Sequence, residues 1–90
     1  MAATTPDSHY IENAGSKVMH IVTFPATADD TNTWASGIQG IVGYWANGTD
    51  DPTQGKEGID VRITDTATGT FTFSLGEDNR SFILYVLSNT

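Results

Sequence analysis

From Phe82 to Leu87 the chain reads FILYVL, six apolar or aromatic residues in a row. A strand points successive side chains to opposite faces. Phe82, Leu84 and Val86 therefore share one face, and Ile83, Tyr85 and Leu87 share the other. A strand of this kind needs cover on both sides. Two further segments have the same character. In Lys17–Phe24, Val18, Val22 and Phe24 oppose Met19 and Ile21; in Ile38–Trp45, Ile38, Val42 and Tyr44 oppose Ile41 and Trp45. IDVRIT (Ile59 to Thr64) and TFTFSL (Thr70 to Leu75) differ from these. They alternate apolar and polar residues and, across the turn DTATG, read as a hairpin with one wet side.

Ninety residues bound what can supply that cover. A chain this short makes one domain and buries only roughly 60–65% of its unfolded surface. Small folds gain further stability from disulfides, metals or association. The sequence has no cysteine, which removes disulfides and thiolate zinc sites. Exposed contiguous apolar patches are avoided by monomers. Part of the second-face surface can pack within a small sandwich or barrel, and the remainder is expected to meet another subunit. Trp45, Ile83, Tyr85 and Leu87 are the expected oligomer interface.

The expected fold is all-β: a small antiparallel sandwich or barrel of about five to seven strands, jelly-roll-like, over residues 17–90. Residues 1–16, MAATTPDSHYIENAGS, offer little to bury beyond Tyr10 and Ile11. They are expected to form a flexible N-terminal arm with those two side chains as docking anchors, able to add to a neighbour's sheet edge. Pro25 is expected to end the first strand. Gly37, Gly40 and Gly43 recur every third residue, but they do not form a G-x-G-x-x-G phosphate loop and no helical pattern follows. Inside strands such glycines mark bends or bulges. The polar stretch Asn47 to Gly58 reads as a long turn.

Eleven acids against four bases give a net charge of −7. With no basic patch, neither nucleic acid nor an anionic membrane surface is an expected partner. The opening MAATTPDSHY lacks the basic and apolar regions of a signal peptide, so synthesis in the cytoplasm is expected. Asn47-Gly-Thr and Asn79-Arg-Ser match the glycosylation sequon but read as turn sequence. No catalytic residue, metal or cofactor is assigned. Ser8 and His9 are neighbours in the arm, and a nucleophile and its base are recognised by spatial geometry. His20, between Met19 and Ile21, reads as a hydrogen-bonded wall residue. The acids at Asp29–Asp30, Asp50–Asp51, Asp65 and Glu77–Asp78 sit in turns without helix–loop–helix calcium spacing. A carbohydrate-binding module or adhesin head is the competing function, with Trp34, Tyr44 and Trp45 as sugar-stacking candidates. A small hydrolase ranks behind both.

KVMHIVTFPATADDTNTWASGIQGIVGYW, followed by GIDVRITDTATGTFTFSLGEDNRSFILYVL, resembles small β-rich virion accessory proteins of tailed bacteriophages, which decorate or cement capsids or form head spikes. The likeness spans residues 17–87. It rests on the strand pattern, the DVRITDTATGTFTFS hairpin, the apolar final strand and the acidic, cysteine-free composition. It implies a homotrimer on the capsid surface, bound to the major capsid protein with the arm reaching across it. The resemblance carries no enzymatic residue.

Overall fold

The structure is a computed structural model. It describes residues 5–28, 32–49, 59–75 and 80–89, with backbone only at 26–28 and 80. Seven strands appear in this range: β1 Ser8–Ala14, β2 Lys17–Ala28, β3 Thr33–Ala35, β4 Ile41–Gly48, β5 Asp60–Asp65, β6 Thr70–Ser74 and β7 Arg80–Ser88. They form two antiparallel sheets, ordered β1-β2-β7-β4 and β3-β6-β5. The expected small sandwich is present. The likeness to a jelly roll goes no further than two packed antiparallel sheets.

The core lies between the sheets. From the larger sheet Val22, Phe24, Phe82, Leu84 and Val86 point inward, and from the smaller Phe71, Phe73 and Leu75 meet them; all are buried. Phe24 stacks on Phe82 at 4.7 Å between ring centroids and Phe73 tilts against Phe82 at 4.8 Å. The sheets approach one another along the β4 and β5 edges. There the Ile63 N–H donates to the Tyr44 hydroxyl at 3.3 Å, so a side chain, and not a strand ladder, bridges the seam.

β7 lies between β2 and β4, which explains its apolar run. Its inward half fills the core, and Ile83, Tyr85 and Leu87 lie on the outer face, half-buried among their neighbours. The β5–β6 hairpin also follows its pattern. Val61 and Ile63 pack on the core, while Asp60, Arg62 and Thr72 face water; Thr64 and Thr72 join through their hydroxyls at 3.1 Å.

Four expectations meet a different structure. First, the domain boundary does not fall at Lys17. Ser8–Ala14 is a strand, paired residue for residue with β2 from Ser8↔Thr23 to Ala14↔Lys17. Gly15, at the first central position of the two-residue turn, has φ 69°, the left-handed backbone that hairpin turns demand there. Its side chains bury little, as the composition implies, but its backbone is paired along the whole strand. Second, the chain runs through Pro25 to Ala28. The register shifts between Phe24 and Ala28, and a bulge is where a strand tolerates proline. Third, the second long strand begins at Ile41, not Ile38. Gly37 (φ 74°) and Gly40 (φ 64°) turn the chain before it, and Ile38 drops into the core as a loop residue. Fourth, Val42 does not share a face with Tyr44. A register shift between Ile41 and Gly43 leaves Val42 exposed at 52% and turns both Ile41 and Tyr44 toward the core.

Gly69 is fixed by a close approach. It sits at φ 64° in the β5–β6 turn, where its carbonyl accepts from the Ser36 N–H at 3.1 Å and from the Ser36 hydroxyl at 2.5 Å. A Cβ there would stand 2.6 Å from the Ile38 carbonyl oxygen, so this turn clamps the β3–β4 connection only with glycine in place.

Candidate functional site: an apolar outer face

The two outward faces of the sandwich differ in character. On the smaller sheet the outward side chains are Thr, Ser, Asp and Arg together with Ala35, and Arg62 and Asp60 form an exposed ion pair at 3.5 Å. Such a pair adds little stability, but it marks a solvated surface. On the larger sheet the ladder registers line up a row that crosses all four strands: Tyr10 opposite Ile21, Ile21 opposite Tyr85, Tyr85 opposite Trp45. A second row carries Met19 beside Leu87, and a third carries Ile83. The charged side chains on this face at described positions are Glu12 and Lys17, both toward the β1–β2 turn.

Trp45 anchors the face at its β4 end. Its neighbour Tyr44 points inward, edge-on to Phe71 at 5.4 Å, so the paired aromatics divide between core and surface. Trp45 is 45% exposed and stacks on Tyr85, with centroids 5.0 Å apart and planes 12° from parallel. Gly43 faces outward beside Leu87, and a Cβ there would meet nothing within 4 Å. The face therefore has a flat aromatic pair with a gap alongside, and a buried aromatic packed in a pocket is the usual energetic centre of an interface.

The four expected interface residues Trp45, Ile83, Tyr85 and Leu87 all lie on this one face. The two expected arm anchors separate. Tyr10 (63% exposed) extends the apolar row across β1, whereas Ile11 (62% exposed) projects to the opposite side, beside His20. Neighbouring strand positions cannot share a face. The sugar-stacking trio separates too: Trp34 packs on Phe24 and Phe71 at the core margin and Tyr44 lies inside, leaving Trp45.

A second cluster was missed in the sequence because its members lie far apart along the chain. His9 Nε2 is 3.0 Å from His20 Nδ1, and His20 Nε2 is 3.2 Å from the Ser88 hydroxyl. Trp34 stands edge-on to the His9 ring at 5.7 Å. These are the distances of a nucleophile, its base and an orienting group. The burial is wrong for that chemistry: Ser88 has no exposed surface and His20 only 7%, so no substrate can reach the hydroxyl. The chain is a satisfied polar connection through the sheet, and His20 is the wall residue expected. Ser8 bonds the Thr23 hydroxyl and faces away from His9.

Comparison with protein-family models, with curated proteins and with solved structures gives no match.

Among the described residues no group of three or more His, Asp or Glu side chains gathers into a metal site. The acidic pairs Asp29–Asp30, Asp50–Asp51 and Glu77–Asp78 lie outside the described residues. With a core built from aromatic and aliphatic side chains, melting in excess chelator is expected to match melting in buffer. A fall of many degrees would place a structural calcium ion at one of those acidic pairs.

Proposed function

We propose that the protein is a structural assembly protein, a homo-oligomer that decorates or cements the capsid of a tailed phage and acts through the outer face of its four-stranded sheet. The observation that carries this reading is the asymmetry of the two outward faces. One sheet is dressed in threonine and charge. The other presents a row of Tyr10, Ile21, Tyr85 and Trp45, with charge among the described residues only at its margin. Depletion of charge and enrichment in aromatic residues distinguish the centre of a protein interface from ordinary surface. The net charge of −7 sharpens the point, since copies of this chain repel one another except where charge is sparse.

Light scattering at micromolar concentration is expected to give a stable oligomer, a trimer by the phage resemblance, and a monomer would overturn the proposal. Purified particles run on a gel and labelled in place then test the capsid seat. The competing reading is a glycan-binding face, favoured by the exposed Trp45–Tyr85 stack. A glycan array with the Trp45→Ala variant as control separates it from self-association.

A further inference from the structure

β1 is an edge strand held mainly through its backbone ladder. It lies at the end of its sheet, pairs with β2 alone, and exposes nearly every side chain. His9 is exposed like most of β1, but its ring lies against those of His20 and Trp34, and His20 bonds onward to Ser88 of β7. We propose that the His9–His20–Ser88 chain is an acid-sensitive clip that ties the edge strand β1 to the body of the sheet, so that acidification releases β1 and bares the backbone edge of β2.

The two rings can hold only a limited number of protons while they stay bonded. In the bond between His9 Nε2 and His20 Nδ1 one nitrogen donates and the other accepts, so the two facing nitrogens hold one hydrogen between them. The clipped state can carry one extra proton, on the far side of His9, and keep that bond. It cannot carry two, because both facing nitrogens would then be donors 3.0 Å apart. A released β1 imposes no such limit, and both rings can charge.

The surroundings do not compensate. From β2 the inward neighbours are Val18 and Val22, from β3 it is Trp34, and from β7 it is Ser88. On β1 the flanking groups are Asp7, Ile11 and Asn13. Glu12 and Lys17 lie on the outer face. Among the described residues no carboxylate lies within ion-pair distance of either ring. Accordingly, His9 is held below its ordinary value of 6.5, first by loss of solvent around the ring and second by the charge of His20.

The sign follows from linkage. The released state binds more protons, so acid favours it. The contribution of His9 to holding β1 is fully present above about pH 6.5 and is lost as pH falls toward and through its lowered value. Uptake of one proton on release shifts the equilibrium about tenfold per pH unit below that range. The edge so bared presents unpaired N–H and C=O groups, the template for pairing with another strand.

Amide hydrogen exchange, corrected for the intrinsic dependence of exchange on pH, tests this directly. Between pH 7.5 and 5.0 the β1 amides are expected to lose protection by ten- to a hundredfold, while those of β7 keep theirs. His9→Gln, and His9→Phe, which preserves a ring against Trp34, should remove the pH dependence. Equal β1 protection at both pH values overturns the proposal. So does an unchanged pH response in both variants, or simultaneous loss of β1 and β7, which is global unfolding.

Discussion

A Phe82→Ala variant is expected to lose about 3–5 kcal/mol of folding stability, the usual range for deleting a fully buried phenylalanine. The side chain has no exposed surface and is stacked on Phe24 and tilted against Phe73. Those partners come from β2 and β6, one in each sheet, so the cavity would open where the two layers are joined. Phe24 and Phe73 also touch each other, at 5.1 Å, and cannot both relax into the space without separating. A domain of this size has about 5–13 kcal/mol in total. Chemical denaturation should therefore show a midpoint reduced by about a quarter or more with little change in slope, and the melting temperature should fall by at least about 12 °C. A loss below about 1 kcal/mol would mean that the sheets do not meet at Phe82. Tyr85, three residues on and on the outer face, is the control. Its truncation should leave the folding of the subunit far less affected.

How far the sequence revealed this arrangement depended on period and distance. A period of two is legible wherever the chain stays regular. FILYVL and TFTFSL placed their inward and outward residues correctly because nothing interrupts the alternation, and IDVRIT did so because its register shift falls at its end, between Ile63 and Asp65. The reading failed where one residue is inserted. The shift between Ile41 and Gly43 reverses the alternation, and Val42 moves from expected core to exposed bulge. It failed again at β1, where side-chain burial stood in for backbone pairing and a two-residue turn at Gly15 went unused as a hairpin signal. Trp45, Ile83, Tyr85 and Leu87 share one face, Trp45 because it lies past the shift in β4 and the other three because β7 alternates without a break. The His9–His20–Ser88 chain could not be seen at all. Its members are separated by 11 and 68 residues, and only the pairing of β1, β2 and β7 brings them to one line.

The neighbouring aromatics Tyr44 and Trp45 offer the sharpest separation of folding from association. Tyr44 belongs to the core margin, where its hydroxyl accepts from the Ile63 N–H and its ring meets Phe71. Trp45 contributes to the isolated subunit mainly through its stack on Tyr85, since nearly half of its surface remains exposed. Such an aromatic pair contributes about 0.5–1.5 kcal/mol beyond the area it buries. Trp45→Ala is therefore expected to move the melting temperature of the dissociated subunit by a few degrees at most. Its effect on self-association should be much larger. Truncating a well-packed aromatic at the centre of an interface removes about 2–4 kcal/mol, a weakening of roughly 30- to 900-fold in Kd. Sedimentation equilibrium over a concentration series measures this directly, with Tyr44→Phe as the comparison. That change removes only the hydroxyl at the seam and should leave assembly intact. The reverse pattern, with assembly unchanged in Trp45→Ala and glycan binding lost, would assign the Trp45–Tyr85 stack to a sugar ring. The subunit contact would then have to lie on another surface.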